Sequence, residues 1–453
     1  MRWPMSRLLA NNVEPVQRFL EAYRRRDTHA EQRKIPMRQL RQHSEHVAGA
    51  IDTVGRSHRS GRSSIRLACV QRGDYLTARR RLAAGGEDQY QGQRYSIEAF
   101  ESFVRGFPRL VVSLEAPAYQ ECEDQARYLG VPSIRLVPRR VFEWLRARRI
   151  MAELERFGTT HLVLRCNDLV GCELLKWAIR KNVRVAGILA ARFDRAHYFS
   201  RRICELGNDT HVCFLANHNR VATASMVDCG LQPEKAVPWD LPQELAPADS
   251  PSKTLPANEP LKVMFAGQVC VAKGVKDLIT ACEMARRDGL DVRLTVCGDG
   301  PLLPSIRDSR AARDGWLACP GMLPTNRVQQ LMQASAVTVV PSRYEFPEGC
   351  PLVIYESLAV RTPLILNDHP IFVRYFEDGV GVRFFHGSNP AELSQRLKEM
   401  AEGGDSYARL SQQTLAAWDS LDCPNKFHHI LERLAREWGI EPSTTDRAAS
   451  LAS

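Results

Sequence analysis

The 453-residue chain predicts an α/β fold, with two doubly wound parallel-sheet domains facing a central cleft. Three observations carry this. From Ser64 onward short apolar runs alternate with segments of helical period, the alternation occurs twice, and a proline-rich stretch divides the two series.

Residues 1–63 precede the first apolar run and form a basic extension. Thirteen Lys and Arg stand against six Asp and Glu in residues 1–64, which is most of the chain's net charge of +10. Dense polar residues from Arg38 to Ser64 predict disorder, with a short helix over Glu14–Arg26. A solvated extension accounts for this charge. An anionic membrane surface would also suit it, whereas no nucleic-acid motif accompanies it and no nucleic-acid partner is expected.

In the first domain, 64–241, strands are expected at Ile65–Val70, Arg109–Leu114, Ser133–Val137, His161–Arg165, Val183–Leu189 and His211–Leu215. Helices from about Ile97, Tyr119, Pro138, Leu169 and Asn217 fill the gaps. Residues 242–260 hold five prolines among small and polar residues, the composition of a linker. In the second domain, 261–403, strands are marked by Val263, Val292, Trp316, Val337, Leu364 and Val382. The helix after Lys273 places Val275, Leu278, Ile279, Cys282 and Ala285 on one face. Residues 404–440 read as helices and 441–453 as a loose tail.

Composition narrows the class. A hydrophobic content of 44% supplies two cores, no run reaches the roughly 18 uncharged apolar residues of a membrane span, and no apolar signal-peptide core is present. Thirteen cysteines without a CxxC pair argue for reduced thiols in a cytoplasm. The segment Pro138 to Met151 mixes basic residues with Phe142, Trp144 and Leu145. It is either a core-facing stripe with a solvated basic face or a peripheral contact at the inner membrane face.

The segment Pro341–Pro363 carries the chemistry. Glu348 and Glu356 are eight positions apart, with Pro351 suited to the start of a helix between them. Glu348 then lies in the loop, and Glu356 lies roughly 8 Å along the helix axis. The free amides of the helix start, with Gly349, Cys350 and Leu352, suit a diphosphate. Glu345 competes for the first position, but eight residues beyond it stands Val353. Glu356, flanked by Val353, Ile354 and Leu358, is costly to bury unless ribose hydroxyls or an internal partner meet it.

This segment resembles the E-x7-E region of retaining glycosyltransferases of the GT-B type, family 4, and the likeness runs through roughly Leu261 to Met400. Further pieces fall in the same order: Phe265-Ala-Gly-Gln-Val-Cys-Val-Ala-Lys-Gly274, Cys297-Gly-Asp-Gly-Pro301 and Thr362-Pro-Leu-Ile365. The resemblance implies a GT-B fold with the last helix crossing back to the first domain. It also implies transfer of a hexose-like sugar from a nucleoside diphosphate sugar to a hydroxyl acceptor, a glycan or lipid-linked molecule, with retention. Polysaccharide, lipopolysaccharide or glycolipid assembly is the setting it implies.

By the same resemblance Glu348 and Lys273 are the catalytic candidates, and Glu356, Gly267, Gln268, Gly349, Cys350, Leu352 and Gly298 bind the donor. Gly298 and Gly300 are explained equally by turn-making. Gly85-Gly86 resembles an N-terminal glycine loop. No cofactor is expected, and no metal, since the chain has no Asp-x-Asp pair. The family usually has arginine where Gln268 stands and a histidine near Ala190–Arg192, where only Arg192 or Asp194 would substitute. His161, His197 and His218 read as ordinary polar or capping residues. These departures motivate an alternative, a catalytically silent GT-B protein binding a nucleotide or glycan; an epimerase or phosphorylase is a further option within enzymes.

Overall fold

The computed structural model describes residues 65–90, 92–133, 139–243, 245–256 and 259–440. The expected extension 1–63 with its helix, the tail 441–453 and residues 134–137 of the strand expected at Ser133–Val137 lie outside them.

The first series of elements runs β1 (Leu67–Arg72), α1 (Tyr75–Ala83), α2 (Gln93–Phe103), β2 (Arg109–Leu114), β3 (Tyr119–Glu123), β4 (Ala126–Val131), α3 (Arg139–Phe157), β5 (His161–Arg165), α4 (Leu169–Arg180), β6 (Arg184–Leu189), α5 (Tyr198–Gly207), β7 (Val212–His218), α6 (Arg220–Asp228) and β8 (Ala236–Trp239). The strands pair in the order β3-β4-β2-β1-β5-β6-β7-β8, all parallel except β3 against β4. Helices cover both faces, so β1 is buried continuously from Leu67 to Val70. Its pleat still divides the two cores: Ala68 and Val70 pack with α3 and α4, Leu67 and Cys69 with α1 and α2.

The second series runs β9 (Leu261–Ala266), α7 (Val275–Arg287), β10 (Val292–Cys297), α8 (Leu303–Arg307), α9 (Arg310–Arg313), β11 (Leu317–Gly321), α10 (Thr325–Ala334), β12 (Val337–Val340), α11 (Leu352–Ala359), β13 (Leu364–Asn367), β14 (Val382–Phe385), α12 (Pro390–Ala401), α13 (Gly404–Asp419) and α14 (Phe427–Trp438). The sheet order is β11-β10-β9-β12-β13-β14, all parallel. Winding reverses between β9 and β12, so a crevice opens at their carboxyl ends, where ligands bind in such sheets. The last helix, α14, packs Phe427, Ile430, Leu431, Leu434 and Trp438 into the core of the first sheet.

One expectation fails. The helix expected from Tyr119 is strand β3, hairpinned to β4 through Asp124 at φ +49. Its residues alternate between half-buried and exposed, a period of two. Gly130 in β4 allows the close packing, because a Cβ there would lie 2.0 Å from Pro117 O. Helices α1 and α5 and strands β4 and β8 carried no expectation from sequence.

The proline-rich connection is laid on the second domain. Lys253 donates through Nζ to the carbonyls of Met332, Gln333 and Ser335 at 2.7–3.1 Å and to the Thr362 hydroxyl, and its N–H meets Ser411 Oγ at 2.8 Å. Among the described residues no helix is long and apolar enough to cross a membrane.

Candidate active site

The two loops that open the crevice are brought together by a glycine. Gly274, the N-cap of α7, has φ +69, and a Cβ on it would fall 2.0 Å from Pro341 O at the end of β12. Only glycine permits both the left-handed backbone and that approach. The contact is then stapled: Arg343 N–H donates to Ala272 O at 2.9 Å, and the Arg343 guanidinium forks onto both oxygens of Asp277 at 2.9 Å. Lys273 therefore faces the loop that carries Glu348.

Lys273 Nζ lies 2.5 Å from Glu348 Oε1 and 4.3 Å from the Phe346 ring centroid. The Ser342 hydroxyl donates to the same carboxylate oxygen at 2.5 Å. Glu348 is only 4% exposed, so its charge is viable because both donors reach it. Glu345, by contrast, is exposed.

Glu356, about one and a half turns into the Pro351-capped helix α11, is 9% exposed and has no hydrogen-bond or ion-pair partner among the described residues. Burial pushes its carboxyl up from 4.5 to about 7. An acceptor group with nothing to accept from is what a ligand hydroxyl needs. In the first turn of α11 Ile354 N–H is taken by Pro351 O at 3.0 Å, whereas the amides of Leu352 and Val353 have no intrahelical acceptor, so the helix start can also meet an anion.

The remaining expected residues fall around these. Gly267 and Gln268 are exposed at the end of β9. Gly298 has φ +130, and its Cβ would lie 1.9 Å from Gly267 O, so backbone packing between the two loops already demands glycine there. Cys350 is buried and Leu352 half-buried at the mouth of α11. A Cβ on Gly349 would lie 3.8–3.9 Å from Ala190 and Ala191, which places the Glu348 loop against the carboxyl end of β6 in the first domain. Arg192, next in that loop, is half-buried, 3.5 Å from Asp194. Gly85-Gly86 does not follow β1; it closes α1, with Gly86 N–H on Arg81 O at 2.9 Å, and Gly73 is the glycine after the strand.

Three supports were missed from sequence. Ser342 has been described. Asn367 Nδ2 donates to Ser342 O, and His369, fully buried, donates from Nε2 to Phe346 O at 3.0 Å and accepts Ile371 N–H at Nδ1 at 3.3 Å. Burial first, then Arg192 and Lys273 nearby, lower the pKa of His369, against the pull of the Phe346 carbonyl and Glu348, which keeps it neutral in this role. A polar Asn-Asp-His run after a buried strand was the signal available.

With this geometry in place, comparison with known proteins is informative. Residues 248–416 match the family model described as Glycosyl transferases group 1. The chain is 27% identical over 172 residues to the alpha-D-kanosaminyltransferase of Streptomyces kanamyceticus, covering 35% of this chain and 44% of that protein. It is 31% identical over 147 residues to the alpha-maltose-1-phosphate synthase of Mycolicibacterium smegmatis, covering 30% and 36%. The chain thus spans less than half the length of either curated relative. Among solved structures, the sucrose-phosphate synthase of Thermosynechococcus elongatus superposes with a TM-score of 0.54 at 13% identity, over 86% of this chain and all of that one. Anabaena HepE in complex with UDP superposes with a TM-score of 0.51 at 12% identity, over 83% and 100%. At such identities the likeness is one of fold, and the fold is GT-B.

Proposed function

We propose, from the premise that residues 248–416 form a group 1 glycosyl transferase domain within a GT-B fold, that this protein transfers a hexose-like unit from a nucleoside diphosphate sugar to a hydroxyl acceptor with retention. The observation that carries this is the unpartnered, buried carboxylate of Glu356 on the helix whose mouth also holds the Lys273–Glu348 pair. Glu356 takes the ribose hydroxyls. Lys273 and the α11 amides neutralise the diphosphate as it leaves, the largest electrostatic demand of the reaction. Glu348 orients the transferred sugar through the oxygen that Lys273 and Ser342 leave open. The glycosidic bond to phosphate breaks, the acceptor oxygen bonds to the same face of the anomeric carbon, and the acceptor proton passes to the departing phosphate. No side chain need act as a separate base.

Polysaccharide, lipopolysaccharide or glycolipid assembly is the proposed setting, with a glycan or lipid-linked acceptor and no cofactor or metal, at the inner membrane face of the cytoplasm. Support for a surface contact comes from α3, where Leu145 is 51% exposed beside Arg148, stacked on Trp144 at 4.9 Å. A thermal-shift screen of nucleotide sugars tests the donor, and UDP-glucose comes first because HepE is described in complex with it. Sugar transfer by the wild type, lost in Glu348→Ala, supports the enzyme. Binding without transfer supports a silent protein, and no binding to any nucleotide sugar refutes the transferase and leaves the silent protein with a glycan partner.

A further inference from the structure

Tyr355 and Glu356 are consecutive on α11, so about 100° of helical rotation separates their side chains. Glu356 is left for the ligand. Tyr355 is turned into the first domain, and its hydroxyl, in a residue only 2% exposed, accepts from Asn219 Nδ2 at 2.7 Å and donates to Asp240 Oδ2 at 2.7 Å. The other oxygen of Asp240 accepts from His218 Nε2 and from Leu241 N–H, both at 2.8 Å. His218 and Trp239 are register partners at the ends of β7 and β8, so this sheet edge supplies a socket for a side chain of the donor helix.

A second tyrosine repeats the pattern. Tyr375 of the second domain accepts Val221 N–H at 3.0 Å, at the start of α6. Asn219 opens that helix with φ +74 and caps Val221 N–H at 3.3 Å with its own side chain. Val221 and Ala222 pack among Ile354, Tyr355 and Tyr375. An apolar side chain at position 355 would fill the same space with no polar group to satisfy. Instead four buried polar side chains are matched donor to acceptor, and bonds of 2.7–2.8 Å are lost on a displacement of about 1 Å.

We propose that Tyr355, Asp240 and Asn219 are positioning residues: they fix α11, and with it Glu356 and the phosphate-facing amides, to the first domain, so that filling the donor site is transmitted to the domain opposite. This rests on the donor site assigned above. Hydrogen exchange on the full chain, with and without UDP, tests it. In the wild type, UDP slows exchange over Leu352–Ala359 and also over Asn219–Thr223. In Tyr355→Phe the first protection remains, with affinity for UDP within about threefold, and the second is lost. Asn219→Gly keeps the left-handed backbone and removes the amide together with its cap on Val221 N–H, which glycine at an N-cap replaces with little loss, so it gives the same outcome if Tyr355→Phe fails to fold. With the donor found by the screen, kcat in either variant falls about tenfold while KM for the donor stays within about threefold. Protection of α11 alone in the wild type, or unchanged transmission in the variants, overturns the proposal. No protection of α11 by UDP, ADP or GDP overturns the donor site itself, and the positioning role with it.

Discussion

Replacing Glu356 with Gln tests the site through stability as well as binding. Burial raises this carboxyl from 4.5 to about 7, which at 1.36 kcal/mol per pH unit corresponds to about 3 kcal/mol against its ionised form. The folded protein therefore holds the proton more tightly than the unfolded chain. Stability from the neutral acid is complete below pH 4.5 and is lost as pH rises through about 7. Gln carries no charge, so Glu356→Gln is more stable at pH 8 by about 2 kcal/mol, once about 1 kcal/mol is allowed for burying the amide. That is a rise in Tm of about 4–8 °C. The gain vanishes near pH 5, where the penalty on the ionised acid has fallen to the roughly 1 kcal/mol cost of the amide, and UDP affinity at pH 8 falls at least tenfold, since hydrogen bonds to a charged acceptor are worth about 1.5–3 kcal/mol. Calorimetry across pH 4.5–8 measures all of this. A variant less stable at pH 8, or a difference that does not change with pH, refutes an unpartnered buried acid at this position.

Three further outcomes follow from the same loops. Glu348→Gln releases Lys273, so UDP binds about fivefold tighter by titration calorimetry while sugar transfer is lost; UDP binding no tighter than wild type means that the ion pair does not compete with phosphate. Gly274→Ala forces a methyl to 2.0 Å from Pro341 O at φ +69, and costs about 3 kcal/mol in denaturant unfolding; a midpoint like the wild type's would show that the loops yield. His369 is buried neutral with its pKa lowered, so its contribution is present above the unfolded value and is lost as pH falls below about 6.5. Thermal unfolding of His369→Gln over pH 5–7 should show a shallower acid decline than the wild type, and equal slopes would remove His369 from the account.

The strand ladder was legible because helices cover both faces, which makes runs such as Leu67–Val70 and Leu364–Leu366 continuously apolar. The Lys273, Glu348 and Glu356 constellation was legible because the loop, the helix start and the spacing are local. Strand β3 was not: five residues with three polar side chains carry little periodicity, and pairing with β4 decided them. The supports of Glu348 escaped for another reason. Ser342 and His369 follow different strands, β12 and β13, and reach the same Phe346–Glu348 loop only because those strands are neighbours in the sheet. His218, taken for an ordinary polar residue, has Asp240 as its partner 22 residues on, a relation that no sequence spacing announces.

Lys253 gives the connection between the halves a character its composition does not suggest. Three carbonyls and a hydroxyl hold its ammonium, and Leu255 packs against the second core. The prolines downstream of it are thus cargo of the second domain. The chain passes between the halves near Asp240 and near Asn425, and the two crossings are themselves joined by Asp240 N–H on Asn425 O at 2.8 Å. Asn425 Nδ2 also donates to Pro238 O at 3.0 Å, and Asp240 pairs with Lys426 as an isolated parallel bridge, so both passages of the chain between the halves run side by side as one tie.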